Sequence, residues 1–346
     1  MEFAPTVNSN QFAHVFQVID THTAGEATRI VTGGMPVLQG DTMMEKKKHC
    51  QREYDHLRRA LMHEPRGHRD MFGAILTDPI HEEAHVGVVF MDTKSYLNMC
   101  GHGTIGVSTA LVETGLIPVT EPYTEVVLDA PSGLIRVRVE VENRKAKNVT
   151  FRNVPSFLYK EALTSDIDDY MSLTYDIAFG GQFFAMVDAR QLGLSVAPEN
   201  VQAFIDIGSS LLQQINRENR MHHPTLPITT VDLVEFYGPG DEDTDMKNIV
   251  IFGNRQADRS PCGTGTCAKL AVLHARGEIR TGEALTNESF IGSQFIGRAA
   301  EVTKVGDYDA IIPEITGSAF LTGFGEYYID PDDPFAYGFT IDAEPV

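Results

Sequence analysis

A cysteine followed by a glycine-rich turn occurs twice, as Cys100-Gly101-His102-Gly103-Thr104 and Cys262-Gly263-Thr264-Gly265-Thr266. The copies stand 162 positions apart (262 − 100) in a chain of 346 residues, close to half its length. A thiolate accepts a proton and a thiol donates one. Two such groups pointed at one cleft from equivalent positions suit a reaction with a proton acceptor on one face of a carbon and a donor on the other. Each cysteine is expected at a helix start, where unpaired N–H groups and the helix dipole favour negative charge and lower a thiol's pKa. The glycines leave those N–H groups open to close approach, so two facing helix starts form a clamp for a carboxylate.

The repeat extends beyond the cysteines. Upstream, Val88-Val89-Phe90 matches Val250-Ile251-Phe252; downstream, Leu111, Gly115 and Ile117 match Leu273, Gly277 and Ile279. The repeated unit is an apolar strand, a loop, a cysteine, a small-residue turn and a helix ending at glycine. The helices expected over 101–114 and 263–276 are small and apolar on nearly every side, which places them inside their halves. An amphipathic helix is expected over 45–62, another near 198–217, and strand-like runs elsewhere. The fold class is α+β, with two pseudo-symmetric halves, each a rolled β-sheet around a central buried helix. The expected divisions are a flexible tail over 1–13, a first half over 14–155 carrying Cys100, a second half over 156–328 carrying Cys262, and a segment over 329–346 returning to the first half.

Hydrophobic residues make up 42% of the chain and charged residues 22%, ordinary values for a globular protein. The net charge of −20 argues against nucleic acid or an anionic membrane as partner, because both require a basic footprint. No apolar run is long enough for a membrane-spanning helix, and the start of the chain lacks the pattern of a secretory leader. Four cysteines, Cys50, Cys100, Cys262 and Cys267, give no disulfide framework, so free thiols and a cytoplasmic location are expected. Their spacing completes no zinc set, and no metal is expected. Cys50 and Cys267 fit a packing role.

Gly101–Gly106 satisfies GxGxxG and Gly263–Ala268 satisfies GxGxxA, so a nicotinamide-dependent dehydrogenase is one rival. That fingerprint occupies a tight strand-to-helix turn, whereas here several residues separate each strand from its glycines. It also gives no reason for a cysteine before the first glycine in both copies. A non-catalytic imino-acid-binding protein is a rival of another class, for which both thiols would be dispensable.

The stretches Asn98–Thr104 and Asp258–Thr266 resemble the two signature segments of the proline racemase family. Asp20–Glu26, Glu64–His68, Gly180–Phe184 and Ile315–Ala319 are similar to it as well, so the resemblance runs from about residue 16 to 343. It implies a diaminopimelate epimerase-like fold, a cofactor-independent isomerase, a homodimer and a small imino-acid substrate. It also implies that Cys100 and Cys262 are the acid–base pair. The backbone N–H groups of Gly101, His102, Gly263 and Thr264 would hold the carboxylate, and Asp258 and the His102 side chain would face the ring nitrogen. Phe72, Phe252 and Leu233 would wall the ring. Cysteine at the second position separates the chain from the family's trans-3-hydroxyproline dehydratases, which have threonine there. The leucine at 233 suits the unsubstituted ring of proline, where hydroxyproline epimerases tend to have a polar residue. The implied activity is interconversion of L- and D-proline, with 4-hydroxyproline 2-epimerisation as the alternative. Cys267 and Gln182 depart from the serine and asparagine commoner in the family.

Overall fold

Strict alternation builds much of the first half: Ile135, Val137 and Val139 point inward while Arg136 and Arg138 are exposed. The computed structural model describes residues 7–168, 171–218, 220–253 and 255–341. Its first strands are β1 (His14–Thr23), β2 (Glu26–Gly33), β3 (Phe72–Thr77), β4 (Val86–Asp92), β5 (Tyr96–Leu97), β6 (Tyr123–Ala130), β7 (Gly133–Glu142) and β8 (Lys145–Arg152). Helices α1 (Met43–Glu53) and α2 (Asp55–Met62) precede β3, and α3 (Gly101–Thr114) follows β5. The single helix expected over 45–62 is therefore two. Tyr54, at φ −126° and ψ 17°, ends α1 and starts α2, which turns the apolar face of α2 onto the sheet.

The second series comprises β9 (Phe157–Asp168), β10 (Met171–Phe179), β11 (Phe183–Asp188), α4 (Val201–Glu218), β12 (Val231–Pro239), β13 (Met246–Phe252) and β14 (Gln256–Asp258). It continues with α5 (Gly263–Ala275), β15 (Ala284–Ser289), β16 (Gln294–Val305), β17 (Tyr308–Gly317) and β18 (Ala319–Ile329). The architecture is a mixed sheet with few helices.

The pairings recur in order. β2 runs parallel to β3, β3 antiparallel to β4, and β4 parallel to β6. Likewise β11 runs parallel to β12, β12 antiparallel to β13, and β13 parallel to β15. The residues between each apolar strand and its cysteine form the short strands β5 and β14, each antiparallel to its predecessor. A tight strand-to-glycine turn of the dinucleotide kind is therefore absent from both copies.

The last strand of the second series crosses to the first. β9 pairs with β10, while β18 pairs along β1, and β8 with β17 joins the two. The boundary expected near 155 falls in the short link between β8 and β9. β18 leaves the expected 156–328 half for the first one. Beyond it, Arg66 donates to the Ala336 carbonyl at 3.0 Å and Phe339 N–H to the Glu64 carbonyl at 2.9 Å. Of the expected tail, residues 1–6 lie outside the described residues; Ala13 N–H donates to the Ile329 carbonyl at 2.9 Å. Residues 342–346 of the expected last segment are also outside them.

Helices α3 and α5 are buried on every side through Val112 and Val272. This is why their apolar residues follow no one-sided stripe. Gly115, at φ 70°, ends α3 in the left-handed conformation that glycine adopts without strain. One apolar core surrounds both helices and includes Cys100 and Cys262. Two further cores lie beneath α1 and α2, and beneath α4. Among the described residues, no helix is long and apolar enough to cross a membrane.

Candidate active site

Each cysteine is the residue before a buried helix. Cys100 is extended (φ −143°, ψ 118°) and its carbonyl accepts the Thr104 N–H at 2.9 Å. Cys262 stands at φ 57° and ψ 103°, a left-handed backbone that costs a non-glycine residue about 1–3 kcal/mol. The surrounding loop imposes it. Cys262 N–H donates to Ser260 Oγ at 3.1 Å, while the Pro261 carbonyl accepts from Asn248 Nδ2 at 2.8 Å and Asn287 Nδ2 at 3.1 Å. The outcome is a sulfur aimed at its own helix start: Gly265 N–H donates to Cys262 Sγ at 3.4 Å, and Thr264 Oγ1 lies 3.6 Å away. Cys100 Sγ lies 3.6 Å from His102 Nδ1.

The two helix starts abut. A Cβ added to Gly101 would stand 3.1 Å from Gly263 Cα, and one added to Gly263 would stand 3.3 Å from Gly101 Cα. Glycine at both positions allows this approach, and a side chain at either would press the facing backbone back by a few tenths of an ångström. It brings the N–H groups of two helix N-termini to one place, with the Phe151 ring beneath them. Phe72 and Phe252 meet at 5.3 Å between ring centroids, Phe72 lies edge-on to His102 at 4.5 Å, and Leu233 pairs with Phe252 across β12 and β13. The buried Asp258 carboxylate accepts from Ser260 N–H at 2.8 Å and Ser260 Oγ at 2.7 Å.

A cavity of about 700 Å³ opens over these helix starts. Phe72, Cys100, Gly101, His102, Leu233, Phe252, Asp258, Cys262, Gly263 and Thr264 all line it, whereas Cys50 and Cys267 do not. The cysteines are 7% and 5% exposed. Among the described residues no metal-holding cluster of His, Cys, Asp and Glu occurs.

One sequence expectation needs correcting. The helix starts were expected to lower the thiol pKa values, but both are raised. Burial is the main cause at each sulfur and disfavours the thiolate. Carboxylates add to it: Asp258, Glu26 and Asp92 around Cys100, and Asp258 and Glu235 around Cys262. The N–H groups of Gly103 and Gly265 oppose this and are outweighed. Burial also lowers the His102 pKa, against the field of Asp258. Cys267 and Cys50 are buried packing thiols, pushed by burial up to about 12 and about 11.

Two buried acids were not assigned a role from the sequence. Glu26 accepts the Arg259 N–H at 2.7 Å and its other oxygen has no partner; burial first, then Asp258, raises its pKa well above the carboxylate range. Glu235 lies behind Cys262. It shares a strand face with Leu233 two residues away, so the period-two pattern was the signal available for it.

The sequence profile described as Proline racemase matches residues 18–340. A proline racemase of Clostridioides difficile is 51% identical over 333 residues, covering 96% of this chain and 99% of that protein. A 4-hydroxyproline 2-epimerase of Streptosporangium roseum is 43% identical over 328 residues, covering 94% of this chain and 98% of that protein. The crystal structure of a hydroxyproline epimerase from Agrobacterium vitis, with bound trans-4-OH-L-proline, aligns with a TM-score of 0.90. It is 32% identical and the match covers 96% of each chain. These likenesses define the class: an isomerase of the racemase and epimerase kind. The chain belongs to the proline racemase family.

Proposed function

We propose that this protein interconverts L- and D-proline with Cys100 and Cys262 as a thiolate/thiol pair. The observation that carries the reading is that both cysteines, at two abutting helix starts, line one cavity. The N–H groups of Gly101, His102, Gly263 and Thr264 hold the substrate carboxylate. Negative charge builds on Cα and the carboxylate as the proton leaves, so these donors stabilise the transition state more than the ground state. One thiolate takes the Cα proton while the opposite thiol delivers its own to the other face. The roles are then exchanged, and the same site runs both directions. Reacting distances of about 3–3.5 Å on each side would hold the sulfurs about twice that far apart. Asp258 and His102 face the ring nitrogen; its positive charge acidifies Cα and offsets the thiolate's burial. No cofactor is assigned a step.

The halves are read as pseudo-symmetric and diaminopimelate epimerase-like, supported by the recurring strand pairings around α3 and α5. Each half, 14–155 and 156–328, supplies one thiol, with β18 and the last segment packed on the first. A cytoplasmic homodimer follows from the family resemblance and the free thiols.

Phe72, Phe252 and Leu233 offer the ring an apolar wall. A hydroxyl buried there without a partner costs roughly 1–3 kcal/mol, about ten- to hundredfold in rate. Proline is therefore the expected substrate and trans-4-hydroxy-L-proline the poorer one. The hydroxyproline-bound relative from Agrobacterium vitis is what favours the second reading, 4-hydroxyproline 2-epimerase. Polarimetry on both compounds decides between them. Leu233→His is expected to weaken the proline preference by about tenfold or more, as a buried polar partner becomes available. A wild-type enzyme that prefers hydroxyproline contradicts the proline reading.

A further inference from the structure

The two thiols have different neighbours at matching places. Under the first helix start Ala74 pairs with Phe90, and under the second Glu235 pairs with Val250. A Cβ added to Gly103 would stand 2.9 Å from the Phe90 ring and 3.1 Å from Cys100 Sγ. A Cβ added to Gly265 would run into Glu235 Oε2 and stand 3.2 Å from Cys262 Sγ. The first turn of one catalytic helix therefore rests on a phenyl ring, and the first turn of the other on a carboxyl group. Glu235 is 0% exposed; the nearby Asn248 amide donates to the Pro261 carbonyl, and neither Glu235 oxygen lies in hydrogen-bond geometry with a donor.

We propose that Glu235 is a positioning residue that acts on Cys262 and not on Cys100, its carboxylate opposing the thiolate at Cys262 and so making the two sulfurs unequal. This rests on the reading of both cysteines as the acid–base pair. The groups around Glu235 are few. Met186 and Val250 flank it on the neighbouring strands, both uncharged. Lys269, one turn further along α5, lies with Nζ 3.2 Å from the centre of the Tyr237 ring. Asp258 is the other carboxylate acting on Glu235, while Asp176, Arg276 and Glu278 surround Lys269. Burial raises the Glu235 pKa to about 7, against the Asn248 amide and the Lys269 ammonium, so its charge changes near neutral pH. Cys100 answers to a different set, Asp258, Glu26 and Asp92.

The test is alkylation of the whole protein by iodoacetamide without substrate, with rates read at each cysteine by peptide fragmentation. This separates Cys262 from Cys267 on the same peptide. Glu235→Gln keeps the shape and removes the charge; Glu235→Met places an apolar chain there, as Phe90 does beside Cys100. Both are expected to raise the Cys262:Cys100 rate ratio by about three- to tenfold at mildly alkaline pH, the size of a shift of up to one pK unit. A ratio that stays put, or rates that rise together, overturns the proposal. In the wild-type protein, the Cys262 rate is expected to climb less than tenfold per pH unit across the interval in which Glu235 ionises. A straight tenfold rise throughout overturns the proposal even if neither variant folds. Racemisation measured on the alkylated protein keeps the two readings apart. Full activity after alkylation of both sulfurs refutes the paired-thiol function, whereas an unmoved ratio refutes only the part assigned to Glu235.

Discussion

Cys100→Ser and Cys262→Ser each lower proline racemisation by about a thousandfold or more, while the circular dichroism spectrum and melting temperature stay close to wild type. The size follows from the chemistry. A positioned acid or base contributes roughly 10²–10⁴ to rate, and a serine hydroxyl is far weaker than a thiol in both roles. Either change removes the base for one direction and the acid for the other, so both directions fail together. The fold tolerates the change because a serine hydroxyl can accept the Gly265 N–H that Cys262 Sγ accepts, and the remaining capping contacts are made by the backbone. Cys100 caps α3 through its backbone carbonyl, and Cys262 is held by Ser260, Pro261 and their partners. Polarimetry from L- and from D-proline measures the effect. Substantial racemisation by either folded variant contradicts the paired-thiol assignment, and unchanged calorimetric binding alongside lost activity separates catalysis from mere binding.

Asp258→Asn reduces kcat/KM for proline by roughly ten- to hundredfold, the worth of a charge-assisted hydrogen bond of about 1.5–3 kcal/mol to the ring nitrogen. The turn survives, since an amide oxygen still accepts from Ser260 N–H and Oγ. The same change has a second, opposite consequence. The Asp258 charge raises the pKa of both thiols, so its removal lowers both. A thiol with a lower pKa forms thiolate at lower pH. The rise of kcat/KM with pH therefore begins at lower pH in the variant. Reduced activity with an unmoved pH profile contradicts the placement of this carboxylate beside both sulfurs.

Much of the site was legible because its signals are local. A glycine after each cysteine and a run of small apolar residues set the starts of α3 and α5 at the expected positions, 101 and 263. The wall residues Phe72, Leu233 and Phe252 carried no such signal and came from the family resemblance. The crossing of β18 to β1 was invisible, because strand partners far apart in sequence leave no mark on the strand's own pattern. The break at Tyr54 was missed for a related reason. Periodicity continues through it, and only contact with the sheet redirects the second helix. The thiol pKa direction was misjudged because a helix start reads from sequence, whereas full burial and the convergence of Glu26, Asp92, Glu235 and Asp258 do not. Glu235 looked like an ordinary residue in an apolar strand until the fold set it against Gly265.

The central claim is that two sulfurs serve opposite faces of one carbon, and isotope uptake during racemisation of L-proline in D₂O tests it most directly. At low conversion, mass spectrometry of the separated enantiomers is expected to find one solvent deuterium at Cα of D-proline and none in the remaining L-proline. Deuterium entering both enantiomers equally from the start, or D-proline formed without it, would contradict the two-sulfur site.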